Sequence, residues 1–261
     1  MDTFSLQDMH CHLDFAKNAS DLARRACEES MCVFSTTVSP NIFNTAQTRL
    51  SLDEGFKSEN ICVGLGFHPW WVSADAQRNN ELLECFLGNL SKTSYVGEIG
   101  LDAAKRHRET FDNQRRVFLT IVEALRNHQS CTMSLHGIQA YDELFAILDS
   151  AHIWDNHAVI FHWFSGSSDN LAKARSRHAY FSVNARMLST KRGRAYAKAM
   201  PIDALLIETD WPPEQCGSAS FDEWHHLLEE TYERLAEIRE IPVQDLASVL
   251  SNNACQALRQ V

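Results

Sequence analysis

Residues 94–136 read SYVGEIGLDAAKRHRETFDNQRRVFLTIVEALRNHQSCTMSLH. An apolar, β-branched run at 94–99 is followed by an amphipathic stretch at 110–128 and a second apolar run at 131–136. Strand, helix, strand at this length is one βαβ unit, and its two strands lie parallel because the helix carries the chain back. The unit repeats outward in both directions. Strand-like runs also stand at 6–10, 31–38, 61–67, 157–162, 179–183 and 203–209, which makes eight in all. Further helical patterns lie at 21–29, 80–90, 141–151, 169–177, 221–238 and 243–258. Such alternation predicts an α/β fold with a parallel sheet and helices outside it. Eight units favour closure into a (β/α)8 TIM barrel, whose site would lie at the carboxyl ends of the strands.

The 261 residues suit one barrel, and no Pro-, Gly- or Ser-rich linker interrupts them, so a single domain over 1–261 is expected. The chain is 44% hydrophobic and carries a formal charge of −10. That charge argues against a broad, sequence-independent grip on nucleic acid, which needs Lys and Arg to neutralise phosphates; it leaves room for one local site. The eight cysteines are scattered without a CxxC pair and read as reduced, partly buried thiols. The opening MDTFSLQDMHCHLDF lacks the basic and long apolar segments of a signal peptide. No run reaches the ~18 apolar residues of a membrane span. A cytoplasmic protein with no membrane partner is expected.

The carboxyl ends of the strands carry a short set of ionisable residues. The first ends in Asp8-Met9-His10-Cys11-His12, where alternation puts 8, 10 and 12 on one face. His10 and His12 can then both enter the barrel mouth, with Asp8 one layer below. The third ends in Gly66-Phe67-His68-Pro69 and the fourth in Gly97-Glu98-Ile99-Gly100-Leu101-Asp102. The fifth ends at His136, the sixth at His162 and the eighth at Asp210. A single histidine at a strand end is ordinarily a packing residue. Here groups that are costly to bury unless paired or coordinated fall at the same end of six strands, which points to a shared metal site. Imidazole suits Zn, Mn or Fe, and a carboxylate such as Glu98 can bridge two ions.

Two basic runs stand out, Lys105-Arg106-His107-Arg108 after the fourth strand and Lys191-Arg192-Gly193-Arg194 after the seventh. Both are expected in βα-loops on the metal face. Positive charge near a helix start is opposed by the macrodipole. Arg106, Arg108, Arg192 and Arg194 therefore read either as phosphate contacts or as solvated surface charge. His225 and His226, beside Trp224, read as surface or packing residues, and Cys216 as an ordinary thiol.

The set DMHCHLD, GFHPW, GEIGLD, His136, HWFSG and ETDWP runs over essentially the whole chain. In this order and spacing it closely resembles the TatD family of metal-dependent deoxyribonucleases, within the amidohydrolase-like barrels. The resemblance implies two divalent metal ions (Zn, Mn or Mg). The first would be held by His10, His12 and Asp210, and Glu98 would bridge to a second held by His136 and His162. Phe111 and Gln114 also match the family pattern. The chain departs from it where Gly137-Ile138 replace Ser-Arg, which removes an arginine that could hold phosphate. It departs again at Trp163, where Cys is commoner, and in the stretch YFSVNARMLSTKRGR. It looks like a bacterial subgroup that includes the TatD-like component of Qat antiphage cassettes.

The reaction implied is metal-assisted hydrolysis, with ions about 3.5–4 Å apart that activate a water, polarise a phosphoryl or carbonyl oxygen and stabilise the leaving oxygen. Asp210 and Glu98 are the expected catalytic carboxylates, with Asp210 as general base. His68, in no ligand slot, is a substrate contact or else packs beside Pro69. DNA or another phosphodiester is the expected substrate. Hydrolysis of a small ester or amide remains open, as does a non-catalytic barrel subunit of a defence or repair complex. The intact ligand set counts against the last.

Overall fold

The computed structural model describes residues 6–51, 60–214 and 216–259. The first five residues, part of the opening read above for a leader, lie outside the described set. The eight expected strands are present as β1 (Gln7–Cys11), β2 (Cys32–Thr36), β3 (Ile61–Gly64), β4 (Tyr95–Asp102), β5 (Thr132–Ile138), β6 (Ala158–His162), β7 (Tyr180–Val183) and β8 (Leu205–Ile207). All neighbours pair in parallel, β1-β2-β3 in one ladder and β4-β5-β6-β7-β8 in another.

Two seams close the ring. Between β3 and β4, Leu65 N–H donates to Tyr95 O and Gly97 N–H to Leu65 O, each at 2.9 Å. Between β8 and β1, Asp210 N–H donates to His10 O at 2.9 Å and His12 N–H to Trp211 O at 2.8 Å. Asp8 reinforces this seam from within. Its carboxylate accepts from Thr209 N–H at 3.1 Å, from the Thr209 hydroxyl and from Trp224 Nε1 at 2.7 Å. Burial pushes the Asp8 carboxyl up to about 7, against those donors. A buried carboxyl without such partners would cost several kcal/mol.

The helices are α1 (Ala19–Glu28), α2 (Phe43–Leu50), α3 (Ala76–Leu90), α4 (Phe111–Leu125), α5 (Tyr141–Ser150), α6 (Ser168–Ser176), α7 (Ala185–Leu188), α8 (Lys191–Ala199), α9 (Phe221–Arg239) and α10 (Val243–Arg259). They cover the barrel with apolar stripes, as α4 does with Val117, Phe118, Ile121, Val122 and Leu125. Three were not expected. α2, α7 and α8 are short, and α8 (KRGRAYAKA) buries little more than Gly193 and Ala197. The second basic run is therefore the first turn of α8 rather than an open loop. Thr190 caps it by accepting from Gly193 N–H at 2.9 Å. A Cβ on Gly193 would stand 1.9 Å from Met187 O, so only glycine fits there. Among the described residues, no helix is long and apolar enough to cross a membrane.

Candidate metal centre

Five imidazoles and two carboxylates meet at the carboxyl mouth of the barrel. Glu98, 2% exposed, lies at their centre, and its two oxygens face different partners. Oε2 is 3.2 Å from Nε2 of His10 and 3.4 Å from Nε2 of His12. Oε1 is 2.9 Å from Nδ1 of His136, 2.9 Å from Nε2 of His162 and 3.1 Å from Nε2 of His68. Asp210 joins the first group, its Oδ1 3.4 Å from His12 Nε2 and 3.8 Å from His10 Nε2.

Local backbone geometry aims these groups. The parallel ladders shift register between Asp8 and Cys11 in β1 and between Val96 and Ile99 in β4. A register irregularity re-aims the side chains it carries, and those here include His10 and Glu98. Asp210 holds left-handed backbone (φ 55), which aspartate tolerates better than most residues, as the chain leaves β8.

Four of the imidazoles are backed by an oxygen. Nδ1 of His10 bonds Ser134 Oγ at 2.7 Å, and Nδ1 of His12 bonds Thr36 O at 3.1 Å. Nε2 of His136 lies 3.4 Å from Asp102 Oδ2, and Nδ1 of His162 stands 3.7 Å from Glu208 Oε1. A ring whose far nitrogen keeps its proton against such an oxygen can give up the proton on its near nitrogen to a cation, which then meets a lone pair on the Glu98 side. His68 is the reverse. Its Nδ1 accepts from Trp70 N–H at 3.0 Å, so the neutral ring carries its proton on Nε2. Burial pulls His68 down to about 4, which keeps it neutral. It is a donor in its neutral form, where its neighbours can release a proton in favour of a cation.

That donor set fits divalent cations. Nε2 of His10 is buried and makes no hydrogen bond. Three trios each bring ligand-type atoms within 4.8 Å of one another: His10, Glu98, His162; His10, His12, Asp210; and His68, Glu98, His136, in the last of which His68 presents a proton and not a lone pair. Burial alone would raise Glu98, but His68, His162 and His10 hold it well below the usual carboxylate range. Asp210 is held at about 2, the effect of burial outweighed by His12, His162 and His10. Burial opposes protonation of His12, yet with no cation between them Asp210 and Glu98 push it up to about 10, so a metal ion bound there would displace that proton.

The centre forms the floor of a cavity of about 440 Å³. Phe15, Trp70, Trp71 and Trp163 line its sides, and Arg106 and Arg186 also border it. Trp70 is 44% exposed and donates Nε1–H to Asp102 Oδ2 at 2.7 Å, which ties this wall to the carboxylate behind His136. The Arg106 guanidinium lies 4.5 Å over the Trp70 ring. Gln114 steadies the loop: its Oε1 accepts from Asp102 N–H at 2.9 Å, and its Nε2 donates to Thr110 Oγ1 at 3.1 Å.

Of the four arginines named from the sequence, Arg106 lines this cavity and the others do not. Arg108 is exposed on the same turn. Arg192 donates to the carbonyls of Ser165 and Gly166, and Arg194 lies 3.4 Å from Glu237. His225 and His226 lie near Glu229 on α9, and burial raises the Cys216 thiol rather than activating it. Sequence reasoning passed over Arg186 and Glu208. Arg186 lies in YFSVNARMLSTKRGR, in no strand-end position, whereas Glu208 lies in ETDWP two residues before Asp210, where the alternation that puts Asp8 below His10 is the signal that could have found it.

A closed parallel barrel with a histidine and carboxylate cluster at its carboxyl mouth defines a class, the metal-dependent hydrolases of the amidohydrolase-like kind. The family profile described as TatD related DNase matches residues 7–259, and the chain belongs to that family. An uncharacterized metal-dependent hydrolase of Methanocaldococcus jannaschii is 23% identical over 257 residues, covering 97% of this chain and 96% of its own. A protein of Cronobacter sakazakii named 3′-5′ ssDNA/RNA exonuclease TatD is 26% identical over 183 residues, 66% of this chain and 67% of its own. The crystal structure of a TatD homologue from Escherichia coli K12 superposes with a TM-score of 0.77 at 21% identity and covers 97% of each chain. That likeness is one of fold.

Proposed function

We propose that the chain, acting as one barrel, is a phosphodiesterase that cuts DNA at ends or single-stranded segments. It would use two divalent ions, one held by His10, His12 and Asp210 and the other by His136 and His162. The observation that carries this reading is the division of Glu98, whose two oxygens face separate groups of imidazoles. Bound there, the ions would supply Lewis acidity for activating a water and for the charge on the phosphoryl and leaving oxygens.

The chain's own residues do the rest. Asp210, ionised at neutral pH and open to the cleft, accepts the proton of the attacking water. His68 donates Nε2–H to a phosphoryl oxygen where charge builds up. The cavity falls within the roughly 300–1,000 Å³ of small-ligand sites, which suits a strand end better than a duplex. Its aromatic sides suit unpaired bases, since stacking is tolerant of sequence. The relative named as a single-strand exonuclease supports the same substrate.

Metal-loaded protein tested on labelled single-stranded DNA, duplex DNA and simple esters decides the substrate. His162→Ala and Asp210→Ala should each lower turnover by orders of magnitude with the far-UV spectrum unchanged. Elemental analysis should find two equivalents of metal on the wild type and fewer on each variant. Wild-type turnover in either variant would sink the mechanism. Cleavage of an ester alone would transfer the reading to a small-molecule hydrolase.

A further inference from the structure

Arg186 lies in α7, the single helical turn after β7, and lines the same cavity as Glu98, His162 and Asp210. Its backbone is held on two sides. Asn184, 3% exposed, caps α7 by accepting from Met187 N–H at 2.8 Å, and its Nδ2 donates to Glu208 at 2.7 Å. From α9, Arg234 donates to Ala185 O at 3.2 Å. The Arg186 side chain, in contrast, is exposed and makes no ion pair within 4.0 Å among the described residues. This is notable in a chain of charge −10 and in a cleft floored by Glu98 and Asp210. Arg192 and Arg194, close by in sequence, are already engaged with carbonyls and with Glu237.

A guanidinium on a fixed root, with an uncommitted head beside a cation-binding floor, is suited to a phosphate oxygen pair. We infer that Arg186 binds a backbone phosphate of the substrate strand from the β7 side of the cleft, while Arg106 faces the strand from the β4 side. β4 and β7 stand three places apart in a ring of eight, so the two cations approach from different directions. This rests on the phosphodiesterase reading above. It adds a residue that sets how the strand is held, and it accounts for selectivity towards a polyanion without a broad basic surface.

The test uses a fluorescein-labelled single strand of ten thymidines with wild type, Arg186→Gln and Arg186→Glu. Binding is read by anisotropy against salt in chelator-treated protein, and cleavage in metal-loaded protein. Arg186→Gln should weaken binding by about 10- to 100-fold, the scale of one charge-assisted contact. It should also reduce the salt slope by about 0.7. Arg186→Glu should weaken binding further, because the charge is reversed. The kinetic loss should fall on KM rather than kcat, with metal content at the wild-type level. An unchanged salt slope in Arg186→Gln, or equal losses for Gln and Glu, overturns the inference while the phosphodiesterase reading stands. A wild-type protein that neither binds nor cuts the strand defeats that reading, and the inference with it.

Discussion

Glu208 is fully buried, yet its carboxylate has partners on several sides: it accepts from Ser182 Oγ and Asn184 Nδ2 and stands beside Nδ1 of His162. A carboxylate behind an imidazole holds the ring's orientation and keeps its proton on the far nitrogen, and losing such a partner typically costs 10- to 100-fold in metal affinity. Glu208→Ala should therefore weaken metal binding by about that factor while the barrel remains folded. Calorimetric titration of chelator-treated protein measures it, and wild-type affinity would show that His162 is held by packing alone. At this scale the ligand candidates could be read from the sequence because residue type and strand-end position together identify them. His10, His12, Glu98, His136, His162 and Asp210 each needed only a strand boundary. Glu208, Arg186 and the donor role of His68 depend on which atoms of other strands stand behind them, and those atoms come from distant parts of the chain.

Among the elements, β4 and β5 show how little slack the site has. Gly100 pairs with His136 across the ladder at φ +143, and a Cβ there would lie 2.0 Å from His136 O. Gly100→Ala must push the strands apart at the pair that carries Glu98 and His136. The expected result is a loss of roughly 1–3 kcal/mol or more, as in overpacked cores, together with weakened metal binding. Thermal melts and metal analysis would check this, and a variant matching wild type in both would refute the packing argument. At the seam of α5 and α6, Arg177 donates to both carboxylate oxygens of Asp149, and Trp154 Nε1 donates to one of them. Arg177 holds the Asp149 carboxyl below its ordinary value. A depressed folded-state pKa stabilises the fold above the unfolded value of ~3.9, and that stabilisation is lost as pH falls through the folded value. Asp149→Asn should lower the melting temperature at pH 7 by about 2–4 °C, the shift expected from ~1 kcal/mol in a chain of this size. The gap from wild type should narrow by pH 3; a constant gap would mean that the charge contributes nothing. The strands were legible as elements because each is a compact apolar run. α7 and α8 were not, since a polar turn with Gly193 inside carries almost no apolar period and is held by its caps and neighbours instead.

For the whole molecule, the cluster of imidazoles and carboxylates joins β1, β4, β5 and β6 and the segments after β3 and β8, so cations bound there would together link most of the ring. A ligand that binds only the folded state stabilises it by about 2.7 kcal/mol at 100 times its Kd. Chelation should lower the melting temperature, and adding metal back should restore it in proportion to the logarithm of metal concentration; a melt insensitive to metal would count against the centre. The sequence by itself determined the alternation of eight strands with helices, and with it the parallel barrel. It also determined which strand ends carry histidine or carboxylate, because both follow from local pattern and residue type. Only the tertiary structure decided how Glu98 divides its oxygens, which oxygens stand behind each histidine, and which arginines reach the cleft. Those outcomes depend on register shifts, seam hydrogen bonds and caps between residues far apart in the chain, and local sequence pattern does not encode such distances.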